Sequence, residues 1–129
     1  MAETAWLLDT SILVDILRGY KPARDWVDSI SESARFVSVI TAAELLGGCH
    51  NRTEQRAVER ELTLYALAWL DEEISQTALE LYRRFHLSHG TGFLDCLIAA
   101  TTIKWVWRLA TLNLKHFTPF ADIHAERPY

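Results

Sequence analysis

Short apolar runs alternate along the chain with longer segments of helical periodicity. A run of about four to eight apolar or β-branched residues is typical of a strand buried on both faces of a sheet. Five segments have this character and are predicted to be strands: residues 5–8, 35–40, 67–70, 109–112 and a last one beginning at Ile123.

The segments between these strands carry apolar residues at helical spacing. They are predicted to be helices over residues 11–17, from Pro22 to Ile30, and over 42–49, 51–66, 74–86 and 93–105. Thr41 is predicted as the N-cap of the third helix, because Glu44 follows it at the spacing of a capping box. Strands that alternate with helices predict an α/β protein with a parallel sheet covered by helices on both sides.

Composition narrows the class of protein. The 129 residues, half of them hydrophobic, correspond to one domain over 1–129. No apolar run reaches the roughly 18 residues that span a bilayer, and no basic segment precedes an apolar stretch at the start. We therefore expect a cytoplasmic protein without membrane contact. Cys49 and Cys96 are expected to be free thiols. The net charge of −4 argues against a protein that coats nucleic acid, but an acidic nuclease can meet phosphate through a metal ion.

Four polar residues fall where predicted strands end and helices begin. Asp9 and Asn113 follow strands, and Glu44 and Asp95 lie in the first turns of predicted helices. The carboxyl edge of a parallel sheet is where ligands bind in such folds. Carboxylates gathered there need a cation to stay ionised together, and hard oxygen ligands suit Mg²⁺ or Mn²⁺. Such a metal can activate water against a phosphodiester, so these residue types could serve a metal-dependent phosphoryl hydrolase.

Each of these residues also has a purely structural explanation. Asp9 could be only a helix N-cap, Glu44 only half of the capping box, and Asn113 only a turn residue. Asp95 could simply favour the positive end of a helix dipole. That explanation is weaker for Asp95, because its neighbours in the sequence are apolar and a charge among them needs a partner or a metal.

At these residues the chain resembles the PIN-domain family, and more narrowly the VapC-type toxins of prokaryotic toxin–antitoxin pairs. The resemblance spans nearly the whole chain, and the segment from Asp95 to Thr101 is its most specific part. It is carried by Leu7-Leu8-Asp9-Thr10-Ser11 with Leu13 and Asp15, by Thr41-Ala42-Ala43-Glu44-Leu45, by Leu94-Asp95-Cys96-Leu97-Ile98-Ala99-Ala100-Thr101, and by Leu109-Ala110-Thr111-Leu112-Asn113 with His116-Phe117.

The resemblance implies a three-layer α/β/α sandwich and an endoribonuclease that depends on Mg²⁺ or Mn²⁺. It implies that Asp9, Glu44 and Asp95 are the metal-binding acids, with Ser11 beside the site and Asn113 in the fourth catalytic position. It also implies an RNA substrate, a VapB-like antitoxin that covers the site, often with an arginine, and a homodimer.

The chain departs from the fullest family pattern at one position. Many PIN nucleases have a fourth acid after the last core strand, where this chain has Asn113, followed by His116. An Asn carbonyl can ligate a metal or its water but brings no charge. The departure from the family pattern therefore concerns the binding of a second metal ion, not that of the first. His116 is a candidate for contact with substrate phosphate or for proton transfer, against a structural role at the surface.

Three other functions are alternatives to the ribonuclease. A phosphatase with Asp9 as nucleophile needs a second acid two residues later, where Ser11 stands. A phosphorylated receiver domain needs an acidic pair after the first strand, which is absent. The alternative that stays open is a catalytically weak or silent PIN-like module that binds RNA or protein.

Two further features allow more than one interpretation. Gly90 and Gly92 around Thr91 could cradle a phosphate, but the end of one helix and the start of the next explain them equally well. Arg83 and Arg84, together with Arg52, Arg56 and Arg60, could guide RNA. The last three share a predicted helix with glutamates, which favours an ion-paired helix face exposed to solvent for them.

Overall fold

The computed structural model describes residues 4–129. Five strands form one sheet in the order β3-β2-β1-β4-β5, and every neighbouring pair is parallel. The strands are β1 (Trp6–Leu8), β2 (Arg35–Ser38), β3 (Ala66–Ala68), β4 (Arg108–Ala110) and β5 (His124–Glu126). The helices are α1 (Thr10–Leu17), α2 (Lys21–Asp28), α3 (Val39–Gly47), α4 (Arg52–Leu62), α5 (Glu72–His89) and α6 (Phe93–Trp105), and short 3₁₀ turns cover Glu32–Ala34 and Leu114–His116.

Successive residues of the central strand β1 face opposite sides of the sheet, as the strand period requires. Leu7 packs into a core formed with α5 and α6, whereas Leu8 packs into a second core formed with α1 to α4. Both leucines are fully buried. The predicted three-layer α/β/α sandwich with a small parallel sheet is thus confirmed.

The helix α6 lies deepest in the fold. Its residues from Cys96 to Thr102 are all buried, so no stripe of this segment faces solvent. The two threonines satisfy their hydroxyls on the helix itself, Thr101 Oγ1 donating to the Leu97 carbonyl (2.8 Å) and Thr102 Oγ1 to the Ala99 carbonyl (2.7 Å). This helix is therefore a rigid support for the residues in its first turn, including Asp95.

Several element boundaries differ from the prediction. The strand β2 ends at Ser38, whose hydroxyl accepts a bond from the Ile40 N–H (3.1 Å) and caps α3. The predicted N-cap at Thr41 is therefore wrong, and Thr41 is a buried residue inside α3. The run of β-branched residues continues from β2 into the first turn of α3, so the sequence pattern did not show where the strand ends and the helix begins.

The predicted helix over 51–66 ends earlier, at Leu62, because Ala66 already begins β3. The helix α5 is longer than predicted at both ends, and Asp71 caps it by accepting from the Ile74 N–H (2.8 Å). Cys96 is a buried free thiol and Cys49 a partly exposed one that follows α3. In the described part of the chain, no helix is long and apolar enough to cross a membrane.

Val106 ends α6 in a strained backbone conformation. Its φ is 56° and its ψ is 43°, in the left-handed region that β-branched residues avoid. The turn is needed because the N–H groups of Val106 and Trp107 both bond to the Thr102 carbonyl. The side chain is 88% exposed, so it contributes little packing that would offset the strain.

We therefore expect Val106→Gly to stabilise the protein by about 0.5–1 kcal/mol, since relief of the strain outweighs the extra entropy of glycine in the unfolded chain. The matched control is Gly90→Ala, because Gly90 ends α5 at φ 64° with no atom near its Cβ position. This control should lose about 1 kcal/mol. Urea unfolding measures both values, and a less stable Val106→Gly variant would contradict the strain argument.

Candidate active site

A cleft of about 670 Å³ opens at the carboxyl edge of the sheet. It lies beside the adjacent strands β1 and β4, where the chain order reverses between the two halves of the sheet. Such a switch point is where open α/β sheets bind ligands. The structure brings together in this one cleft all six residues that the sequence singled out: Asp9, Ser11, Glu44, Asp95, Asn113 and His116.

Asp9 follows β1 and stands at the N-cap position of α1, but its carboxylate caps nothing. Its Oδ2 instead accepts hydrogen bonds from Thr111 Oγ1 (2.7 Å) and from Ser11 Oγ (3.3 Å). The Asp9 N–H donates to the Ala110 carbonyl (2.9 Å), which ties the residue to the end of β4. The explanation of Asp9 as a mere helix cap is therefore excluded.

Thr111 is a site residue that sequence reasoning missed. It is fully buried, and its hydroxyl both donates to Asp9 and accepts from the Asn113 N–H (3.0 Å). Ser11 makes a similar bridge, because its hydroxyl accepts from the Leu112 N–H (3.1 Å). The sequence placed Thr111 inside the predicted strand 109–112, so it gave no sign that this hydroxyl contacts Asp9.

Glu44 lies in the second turn of α3, not in its first turn as predicted. Its Oε1 accepts a hydrogen bond from Thr10 Oγ1 (2.9 Å), and this hydroxyl lies 3.0 Å from Thr41 Oγ1. Because Thr41 does not cap the helix, the capping-box explanation of Glu44 is also wrong. The glutamate instead joins the side of α3 to the first residue of α1, next to Asp9.

Asp95 lies in the first turn of α6, at the wall of the cleft. Burial raises the pKa of this carboxyl above its ordinary value, and the charges of Asp9 and Glu44 raise the pKa further. The His116 side chain opposes these effects, with its Nδ1 at 3.5 Å from Asp95 Oδ2. The charges of Asp9 and Glu44 are thus close enough to act on the protonation of Asp95.

The chemistry of these donors suits a hard divalent cation, because the three carboxylates share a partly buried cleft in which acidic side chains outnumber basic ones. Asp15 also lines the cleft, and Arg18 and His116 are the basic residues in its lining. The side chains do not form a closed set of ligands. Within residues 4–129, no three His, Cys, Asp or Glu side chains are arranged so that they could hold a metal ion. Each acid is instead turned to a donor of its own: Asp9 to Thr111, Glu44 to Thr10 and Asp95 to His116.

Asn113 and His116 occupy the rim of the cleft. Asn113 precedes the 3₁₀ turn Leu114–His116, and its backbone N–H is held by Thr111. Both side chains are exposed, and His116 is 48% accessible. A ligand in the cleft can therefore contact the asparagine amide and the imidazole without a change in the core.

Comparison with known proteins agrees with this fold. The PIN domain family model matches residues 6–117. Ribonuclease VapC10 of Mycobacterium tuberculosis is 38% identical over 119 residues, which cover 91% of this chain and 89% of that protein. Ribonuclease VapC19 of the same organism is 33% identical over 126 residues, 95% of this chain and 98% of that protein. The chain therefore belongs to the PIN-domain family and, within it, to the VapC group.

Solved structures share the architecture. A chain in a toxin–antitoxin complex from Klebsiella pneumoniae superimposes with a TM-score of 0.81, covering 97% of this chain and 98% of that one at 22% sequence identity. At this identity the likeness concerns the fold alone.

The raised pKa of Asp95 has a consequence for stability. Between the ordinary Asp pKa and the raised one, the folded protein binds more protons than the unfolded chain, so the free energy of unfolding falls as the pH rises through this window. We expect Asp95→Asn to remove this decline and to be more stable than the unaltered protein near neutral pH in EDTA.

Urea unfolding across this pH range measures the effect. Asp122→Asn is the control, because it removes the same charge from an exposed position outside the cleft and should leave the pH dependence unchanged. An Asp95→Asn variant that is less stable than the unaltered protein at neutral pH would contradict this prediction, because it would show that the fold stabilises the ionised carboxylate of Asp95.

Proposed function

We propose that the protein is an endoribonuclease, the toxin component of a VapBC-like type II toxin–antitoxin module. The observation that carries this proposal is the meeting of Asp9, Glu44 and Asp95 in one cleft at the switch point of a PIN-domain sheet. The relatives in the VapC group, which are named ribonucleases, support RNA as the substrate.

We propose further that Asp9, Glu44 and Asp95 hold a divalent cation, Mg²⁺ or Mn²⁺. Such a cation supplies charge that stabilises a phosphodiester under attack and lowers the pKa of water. The raised pKa of Asp95 supports this assignment, because a cation would offset both the burial and the repulsion that disfavour its ionised form.

The remaining residues of the cleft position the acids and the RNA. Thr111 and Ser11 hold one oxygen of Asp9, so the carboxylate cannot rotate freely. Thr10 orients Glu44 in the same way. Asn113 takes the fourth catalytic position as a neutral group that can hydrogen bond to a phosphate or to water. His116 and Ser11 are proposed to contact the substrate at the rim.

Cleavage of labelled single-stranded RNA tests the function. The unaltered protein should cleave RNA with Mg²⁺ or Mn²⁺ and not with EDTA. Asp95→Asn should lower the cleavage rate by about 100-fold or more, because charge stabilisation by a metal contributes several kcal/mol. Asp122→Asn should cleave normally. RNA binding without any cleavage by the unaltered protein would favour the silent binding module instead.

A second proposal concerns the partners. The toxin–antitoxin complex that shares this fold supports a VapB-like antitoxin that covers the acidic cleft. We expect the product of a small neighbouring reading frame to co-purify with this chain and to suppress its RNA cleavage in a one-to-one titration. The chain alone is expected to be a homodimer, which light scattering measures. Full activity in the presence of a bound antitoxin would contradict a partner that covers the site.

A further inference from the structure

A second, smaller cavity adjoins the candidate active site. Its volume is about 300 Å³, and it shares the walls formed by Gly92, Asp95 and His116 with the main cleft. Its other walls come from the α5–α6 connection and from the segment after β4: His89, Gly90, Thr91, Lys115, Thr118 and Pro119. A strand that passes Asp95 on its way out of the main cleft would enter this cavity next. We call it the side cavity.

The side cavity is lined by Lys115, a lysine that is not paired with any acidic residue that the structure describes. Lys21 and Lys104 form ion pairs, with Asp25 and Asp71 respectively. Lys115 is exposed and forms no ion pair with any carboxylate of residues 4–129. Its ammonium group is therefore available to an anionic ligand, and such a group binds phosphate as a point charge.

Thr91 supplies a second, independent sign of a ligand. The residue is only 8% exposed, and its hydroxyl makes no hydrogen bond to any described residue. Every fully buried side-chain nitrogen or oxygen of residues 4–129 does have a partner. The Thr91 hydroxyl oxygen is therefore open to solvent, and the residue lines the side cavity, so the hydroxyl is available as a donor to a ligand there.

Two more groups favour an anion in the side cavity. The Nδ1 of His89 is hydrogen bonded to Ser88 Oγ (2.7 Å), which leaves Nε2 as the ring nitrogen available to a ligand. The 13-residue helix α6 begins at Phe93 without a side-chain cap, so the positive end of its dipole lies at the shared wall. Asp95 brings a negative charge to the same wall, but His116 lies against it and offsets part of that charge.

From this arrangement we propose that the side cavity binds a phosphate of the RNA next to the phosphate that is cleaved, with Lys115 and the Thr91 hydroxyl as its main contacts. The proposal rests on the ribonuclease function proposed above. An RNA strand fits because it presents anionic groups in a row, so one phosphate can lie among the acids while its neighbour lies beside Lys115. The side cavity would then determine how the strand is aligned across the cleft.

Steady-state kinetics of Lys115→Gln test the proposal. Since this contact serves binding in both the ground and transition states, KM for single-stranded RNA should rise about 3–10-fold while kcat changes little. The slope of log kcat/KM against log salt concentration should decrease by about one. Lys115→Arg should restore most of the affinity. Lys21→Gln removes the same charge from α2 and should leave both values unchanged.

A second experiment locates the phosphate. RNA oligonucleotides with a neutral methylphosphonate at one position at a time are bound to an Asp9→Asn background, which retains them uncut, and affinity is measured by fluorescence anisotropy. One position next to the cleavage site should weaken binding when Lys115 is present and have no effect in Lys115→Gln. Thr91→Val should weaken binding to the same oligonucleotides, and Thr91→Ser should restore it. Circular dichroism confirms that each variant is folded.

The outcomes separate this inference from the function on which it rests. Absence of RNA cleavage by the unaltered protein overturns the ribonuclease, whereas the anisotropy series still reports on the phosphate contact. Normal cleavage with a Lys115→Gln variant that matches Lys21→Gln overturns the side cavity as a phosphate site. A variant that binds the antitoxin more weakly but RNA normally would also overturn it, because the cavity would then serve a carboxylate of the partner protein.

Discussion

Repulsion among carboxylates in a partly buried cleft is the constraint on which the rest of this structure depends. Asp9, Glu44 and Asp95 come from β1, α3 and α6, which are far apart in the sequence. Burial raises the pKa of Asp95, and the charges of Asp9 and Glu44 raise it further. Such an arrangement opposes folding, so it persists only because the two apolar cores on either side of the sheet hold the elements in place.

The hydroxyl groups around the acids explain how the cluster is kept in order without a positive residue at its centre. Thr111 and Ser11 tie Asp9 to the end of β4, and Thr10 ties Glu44 to α1. A neutral donor orients a carboxylate but leaves its charge largely in place. The cleft therefore combines oriented carboxylates with an excess of negative charge, which is consistent with the divalent cation proposed for it.

The order of the elements was predictable, but several of their ends were not. The helix over 93–105 was predicted with its exact bounds, since an apolar helix between a glycine and a strand has clear limits. The junction of β2 and α3 was missed because Val39 and Ile40 favour strand by propensity, while the Ser38 cap and burial of Thr41 impose helix. Burial overrides local preference where a segment is fully enclosed, and burial depends on elements distant in sequence.

The sequence by itself determined the α/β class and the acids that lie at the carboxyl edge of the sheet. The spacing of apolar residues predicts the α/β class, and the residue types identify the acids, because both are properties of the local sequence. Only the tertiary structure decided how these acids are held: by Thr111 across 102 residues and by Thr10 across 34. It also decided that Thr91 and Lys115 line one cavity. Such pairings depend on the order and register of parallel strands, which no local pattern in the chain encodes.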